Sequence, residues 1–265
     1  MRFESVSIIL PTLKETESFV QTVSMILEMN EVTDIAEFVA VVCDRTNPES
    51  FKSIEKGREI AETAGVPFSV LNQTRPYFGG AIQDGFDVAR GSHVCMVTPD
   101  MDTAPDKLPE MIAMAKRYPG DIVIGSRWKK GGGFENYNPV KKIWNYFSQK
   151  FLDVLYLTSL SDFTWGNQLA PTVLARAINY KEVKHPINIE RVVIPMRLGV
   201  GFREIPALCH MSDGETVNPF AANLAYLRPA FRWRFAKRET MVKPGLDWKE
   251  LVAGIKAEGI EQTGV

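Results

Sequence analysis

The spacing of apolar and polar positions divides the chain into short apolar runs alternating with longer amphipathic ones. Residues 5–10, 37–43, 67–71, 93–97 and 121–125 are almost continuously apolar, the pattern of strands covered on both faces. Between them apolar side chains recur at helical spacing. Phe19, Val20, Val23, Ile26 and Leu27 do so within 15–30, and Leu108, Met111, Ile112 and Ala115 within 106–118. Asn47 and Pro48 suit an N-cap and a first helical position, ahead of Phe51, Ile54, Arg58 and Ala61. Gly79-Gly80 opens a helix carrying Ala81, Ile82, Gly85, Phe86 and Ala89, and Gly91 stops it. This alternation predicts an α/β fold, a parallel, doubly wound sheet with helices on both faces. Ligands of such sheets bind outside the carboxyl ends of the strands. Thr12, Glu15, Asp44, Asp100 and Asp102 all fall at or just after those ends.

The second half is less regular. Residues 127–133 form a basic, glycine-rich loop able to fold over an anion. A long helix over 140–158 has Val140, Ile143, Trp144, Phe147, Phe151, Val154 and Leu155 on one side and Tyr146, Leu152, Tyr156 and Leu157 on the other. That exceeds what one soluble face requires, so the helix is either sandwiched in the core or laid against a membrane or lipid. Residues 162–168 read as a polar turn, 187–198 as a helix kinked at Pro195 and carrying Glu190, and 202–207 as a strand. Residues 218–238 interleave Phe220, Leu224, Tyr226, Leu227, Phe231, Trp233 and Phe235 with Arg228, Arg232, Arg234, Lys237 and Arg238. Such a segment suits an anionic membrane surface or an aromatic clasp packed back on the domain. A short helix and a frayed tail follow.

Composition and the absence of long apolar runs narrow this picture in four ways. A chain of 265 residues holds one large domain, placed at 1–216, and a C-terminal aromatic and basic extension at 217–265. The net charge of −1 argues against nucleic acid as a partner held by bulk electrostatics. Cys43, Cys95 and Cys209 lie far apart and read as reduced core residues. The N-terminus lacks a basic segment followed by an apolar one, and no apolar run reaches about 18 residues, so a cytoplasmic, non-spanning protein with peripheral membrane contact is expected.

The fourth run ends in Asp100-Met101-Asp102. Carboxylates are hard ligands suited to Mg²⁺ or Mn²⁺, whose remaining positions a substrate diphosphate would fill. Alternatively the two acids cap the helix that starts near Asp106.

Several motifs together carry a resemblance. They are Ser7-Ile8-Ile9-Leu10-Pro11-Thr12-Leu13-Lys14-Glu15, Gly79-Gly80-Ala81-Ile82-Gln83-Asp84-Gly85-Phe86, Asp100-Met101-Asp102, Asp121-Ile122-Val123-Ile124-Gly125-Ser126-Arg127-Trp128 and the glycines 131–133. In order and spacing the chain resembles the family 2 inverting glycosyltransferases of GT-A fold, nearest to the dolichyl-phosphate mannose synthase and polyprenyl-phosphate glycosyltransferase branch, over residues 5–216. The resemblance implies a donor site of Pro11, Leu13, Glu15, Val42, Asp44, Gly79, Gly80, Asp100, Met101, Asp102 and Arg127. Val42 and Asp44 would lie against the base and ribose. Asp100 and Asp102 would bind the metal and diphosphate, and Arg127 a phosphate. Asp162 and Glu190 match acceptor-side positions, so Asp102, Arg127, Asp162 and Glu190 form the expected catalytic set.

The chain departs from the family in having Cys43-Asp44 in place of an acidic pair and Gly214-Glu215-Thr216-Val217 in place of a motif ending in a phosphate-binding lysine. Within these 265 residues no membrane-spanning tail of the family's kind is expected. The expected donor is GDP-mannose or a UDP-hexose and the acceptor a polyprenyl phosphate. A saccharide hydroxyl acceptor, or a non-catalytic homologue that only binds the sugar nucleotide, stands as the alternative, as does assembly into a homo-oligomer or with a membrane partner subunit. A hydroxyl acceptor would require a base, Asp162 or Glu190, whereas a phosphate monoester is already anionic. A nucleotidyltransferase would carry a Gly-rich, Arg-Lys-bearing loop after the first strand and a dehydrogenase Gly-x-Gly-x-x-Gly; neither is present.

Overall fold

The computed structural model describes residues 1–210 and 219–257. The Gly214–Val217 departure, the boundary at 216, the side chains of Phe220 and Leu224 and the tail beyond 257 lie outside the described residues.

Seven strands form one sheet in the order β3-β2-β1-β4-β7-β5-β8. They are β1 (Val6–Pro11), β2 (Ile35–Val42), β3 (Phe68–Asn72), β4 (His93–Met96), β5 (Ile122–Ser126), β7 (Gln168–Pro171) and β8 (Phe202–Pro206). All pair in parallel except β7, which runs antiparallel between β4 and β5. Ile8, Leu10, Phe38 and Val42 pack on one side of the sheet and Ile9, Val39, Val41 and Met96 on the other, which is why the strands read as unbroken apolar runs.

The helices between the first strands are α1 (Glu17–Met29), α2 (Pro48–Thr63), α3 (Tyr77–Val88) and α4 (Leu108–Arg117). Two begin elsewhere than the spacing suggests. The first starts at Glu17, because Glu15 is used to bind the backbone of its own loop; the third starts at Tyr77, two residues before the glycines. Phe51 points outward from α2, whose buried side is Ser50, Ser53, Ile54, Gly57 and Ala61.

Beyond β5 come β6 (Gly133–Glu135), α5 (Pro139–Tyr156), α6 (Thr172–Ala177), α7 (Ile187–Leu198), β9 (Leu208–His210), α8 (Pro219–Phe235) and α9 (Trp248–Ala257). Strands β6 and β9 pair as a separate two-stranded ribbon. Spacing did not reveal β6, β7, β9 or α6, each only three to six residues long. Ala230, Trp233, Val252 and Ile255 of α8 and α9 pack with α7 in a second core, as the clasp alternative expects, while Phe231 and Phe235 stay exposed. Among the described residues no helix is long and apolar enough to cross a membrane.

Candidate active site

The strand order reverses direction between β1 and β4, and the carboxyl ends of those two strands are where a ligand crevice is expected. Parallel neighbours stand about 4.8 Å apart, so the ends of β2, β1 and β4 share one rim. Past β1, Asn47 N donates to Leu13 O at 2.7 Å and Thr46 Oγ1 to Thr12 O at 3.0 Å, which fixes the 12–15 loop against the loop after β2. The Glu15 carboxylate accepts from Leu13 N at 2.6 Å and Lys14 N at 2.9 Å. Leu13 and Asp44 are exposed on this rim, Pro11 is half-buried and Val42 buried. Gly79 and Gly80 have a packing reason of their own. A Cβ on Gly79 would lie 2.7 Å from the Val183 carbonyl carbon, and one on Gly80 2.5 Å from Arg75 O.

After β4 the chain turns sharply. Met101 (φ 70°) and Ala104 (φ 47°) are both left-handed, costly conformations for residues with a Cβ. Asp100 Oδ1 accepts from Asp102 N at 3.0 Å, and Thr103 Oγ1 accepts from Thr98 N at 2.9 Å, which close the turn. Neither the short 3₁₀ turn at Pro105–Lys107 nor α4 receives a side-chain cap, so capping is not what the two acids do. Both carboxylates are half-exposed. Among the described residues no three His, Cys, Asp or Glu side chains cluster into a complete metal cage. Two half-exposed carboxylates on a strained turn suit Mg²⁺ or Mn²⁺, which keep waters and phosphate oxygens for the rest of their shell.

The other side of the rim is built from buried polar groups. Arg127, just past β5, donates from Nε to Asp162 Oδ2 at 2.7 Å and from Nη2 to Asp162 Oδ1 at 2.8 Å and Thr164 Oγ1 at 2.9 Å. Its guanidinium also stacks between Phe134 and Trp165, at 5.2 and 5.5 Å from the ring centres. Burial disfavours its charge, but the Asp162 carboxylate outweighs that and holds Arg127 protonated above its ordinary range. Across the ribbon, Cys209 Sγ donates to Asp102 Oδ1 at 2.9 Å. Burial and the Asp102 charge push that thiol up, so it stays neutral. The structure thus joins Arg127, Asp162 and Asp102 into one neighbourhood, with Cys209 as the link to Asp102.

Glu190 is placed elsewhere. Its Oε2 accepts from the amides of Lys181 at 2.8 Å and Glu182 at 2.9 Å, and its Oε1 from Trp233 Nε1 at 2.6 Å. Burial raises its pKa above the carboxylate range, partly countered by these donors. It ties α7 to α8.

Sequence reasoning passed over Tyr137, Asn145, Gln149 and Cys209. Burial and the nearby carboxylates push the Tyr137 phenol up, with the Arg127 charge acting against them. Asn145 and Gln149 are the buried polar side of α5 and bond to Trp128, Phe163 and Thr164. An available signal was two amides four residues apart amid large apolar side chains. Nothing in the spacing marks Cys209, whose partner lies 107 positions away.

Among known proteins, the chain is 30% identical over 139 residues to a dolichol-phosphate mannosyltransferase of Pyrococcus furiosus, an alignment covering 52% of this chain and 37% of that one. It therefore spans little more than a third of that relative. It is 26% identical over 206 residues to an undecaprenyl-phosphate mannosyltransferase of Micrococcus luteus, covering 75% and 80% of the two chains. Glucosyl-3-phosphoglycerate synthase of Mycobacterium tuberculosis, solved with Mn²⁺, UDP and glucosyl-3-phosphoglycerate, superposes with a TM-score of 0.64 at 14% identity, over 87% of this chain and 80% of that one. The α/β architecture is the GT-A fold. The model of the family described as Glycosyl transferase family 2 matches residues 7–174, more than half of the sequence, and the chain belongs to that family.

Proposed function

We propose that the protein transfers a sugar from a nucleotide diphosphate sugar, GDP-mannose or a UDP-hexose, to a polyprenyl phosphate, with inversion and the help of a divalent cation. The donor would lie across the ends of β2, β1 and β4, its nucleoside against Pro11, Leu13, Glu15, Val42 and Asp44. Asp100 and Asp102 would hold Mn²⁺ or Mg²⁺, whose charge would offset that developing on the departing diphosphate. The solved relatives hold Mn²⁺ or Mg²⁺ with UDP, in support of this pairing. An acceptor phosphate oxygen attacks the anomeric carbon from the face opposite the diphosphate. The new C–O bond forms as the bond to the diphosphate breaks, and the nucleoside diphosphate leaves with the electron pair.

The engagement of both expected bases supports a phosphate acceptor. Asp162 gives its oxygens to Arg127, and Glu190 to two amides and an indole, so neither stands free to deprotonate a hydroxyl. A phosphate monoester needs no base. In this reading Arg127 and Asp162 position the acceptor loop, since the Arg127 charge is already offset.

The observation that carries the lipid acceptor is the outer face of α5. Ile143, Phe147 and Val154 are 57%, 60% and 74% exposed, and Trp144 and Phe151 stand beside them. Phe231 of α8 extends the face, its ring 5.7 Å from that of Phe151. Burying each such side chain is worth about 1.5–3 kcal/mol. Lys142, Lys150 and Arg228 are exposed on the same two helices, which favours an anionic lipid surface as the occupant. The two relatives named for polyprenyl phosphates agree with this choice. The test incubates the chain with labelled GDP-mannose or UDP-glucose, Mn²⁺ and vesicles containing a polyprenyl monophosphate. Label entering the lipid, lost on adding a chelator, is the expected result. Labelled saccharide alone would turn the assignment to a hydroxyl acceptor, and binding of the donor without turnover to the non-catalytic alternative.

A further inference from the structure

Helix α5 is turned inside out. The side chains it buries are Asn145, Gln149 and Leu152, one stripe at spacings of four and three, so two of the three are amides. The opposite stripe, Ile143, Phe147, Phe151 and Val154, faces solvent. Towards the end of the helix Leu152, Leu155 and Tyr156 pack on the second core, while the first three turns are held to the site by a set of hydrogen bonds. Asn145 Oδ1 accepts from Trp128 Nε1 at 3.1 Å and Gln149 Nε2 at 3.1 Å. Gln149 Nε2 also reaches Thr164 Oγ1 at 2.9 Å, and Gln149 Oε1 accepts from Phe163 N at 2.8 Å. Thr164 Oγ1 is the same atom that takes a bond from Arg127 Nη2. Two amides therefore grip both segments that carry the Arg127–Asp162 pair, from a helix whose apolar face points the other way.

We propose that Asn145 and Gln149 are positioning residues that transmit contact between α5 and a lipid surface to the 162–166 loop, ordering Arg127, Asp162 and Thr164 when the helix is docked. This rests on the lipid-surface reading above. Polar attachment is readily exchanged for water, whereas the outer stripe gains only when something apolar covers it. Whatever covers the outer face thus decides how firmly this part of the helix is seated, and the two amides are a polar route from that seat to the site. A ligand can shift such an equilibrium only by favouring one of the two arrangements, and an apolar surface does so here.

The experiment is hydrogen exchange across residues 161–168 of the full chain, with and without vesicles of equal parts phosphatidylglycerol and phosphatidylcholine. In the parent protein vesicles should slow exchange there by about tenfold, within the ordinary range of coupling between sites. Gln149→Leu keeps the volume and removes the bonds, so it should sediment with vesicles as the parent does yet show no slowing. Phe147→Ser, outside the hydrogen-bond network, should lose vesicle binding and slowing together, and it guards against misfolding of the first variant. Vesicle binding with unchanged exchange in the parent protein, or equal slowing in Gln149→Leu, overturns the transmission while sparing the acceptor assignment. Absence of vesicle binding overturns both, and a dimer in solution would then name a second copy as the occupant.

Discussion

The two halves of the sheet are stabilised in opposite ways. In β2, β1 and β4 the strands bury apolar side chains on both faces, with Glu37 of β2 held inside as it accepts from Ser7 Oγ and Arg90 N, and they bring Asp44, exposed, and Asp100 and Asp102, half-exposed, to the rim. Around β7 and β5 the acids go inward, with Asp162 wholly buried on Arg127 and Glu190 on amides and an indole, while α5 displays its apolar side chains outside. In the proposed reading the first half takes the donor, whose charged diphosphate would arrive with its own counter-ion. In that same reading the second half would meet the acceptor, and the outward apolar side chains of α5 suit one that is partly hydrocarbon.

The contrast can be broken most directly at its buried ion pair. Asp162→Ala leaves the Arg127 charge uncompensated among Phe134 and Trp165, and removing one partner of a buried pair costs about 3–5 kcal/mol. Asp44→Ala on the exposed rim should stay within about 0.5 kcal/mol of the parent and weaken donor binding instead. Equilibrium unfolding in urea measures both. Equal costs at the two positions would abolish the distinction between the halves. Asp102→Ala then tests the rim by activity, with a fall in donor turnover of about 10²–10³, the scale of one lost charge-stabilising group, and an unchanged unfolding midpoint. Full turnover in that variant would remove Asp102 from the metal.

A smaller effect lies at the opposite edge of the donor half. His93 begins β4, away from the rim, and its Nε2 donates to Pro119 O at 2.9 Å. Burial, helped by the nearby N-terminal charge and opposed by the Pro119 bond, lowers its pKa from 6.5 to about 4. Because the folded value lies below the free one, the stabilisation is complete above pH 6.5 and is lost as pH falls through about 4, on the order of 3 kcal/mol in all. His93→Gln should flatten the dependence of the unfolding midpoint over that window. An unaltered acid limb would mean that other groups cause it.

How much of this was legible follows the same division. The first four strands and their helices show plainly in the spacing because one apolar face per helix and two per strand leave a regular trace, and Asp100-Met101-Asp102 stands out as the end of such a run. The fold and the candidate donor rim could therefore be read. Strands β6, β7 and β9 are too short to show a period, and β7 enters the sheet antiparallel through long-range pairing with β4 and β5. The long helix was recognised as too apolar for one soluble face, but which side faced the body was hidden, since apolar side chains are ordinarily assigned inward. Cys209 against Asp102 and Asn145 against Trp128 exist only in three dimensions.

The least costly test compares two helices that begin alike. Asn47-Pro48 opens α2 and Asn138-Pro139 opens α5; Asn47 Oδ1 accepts from Glu49 N, and Asn138 Oδ1 from Val140 N and Lys141 N. Each cap is worth about 1 kcal/mol by its chemistry. What differs is what lies behind it. Helix α2 is locked by Ile54, Gly57 and Ala61 in the core, so Asn47→Ala should lower global stability by that amount with no local opening. Helix α5 fully buries one apolar side chain, Leu152, and packs Leu155 and Tyr156 only partly, all in its last two turns, so Asn138→Ala should fray its first turns while the unfolding midpoint hardly moves. Amide exchange over residues 139–146 set against 48–55 measures the difference. Equal fraying in both would mean that α5 is as firmly seated in water as α2, and the inverted helix would then be a fixed part of the body.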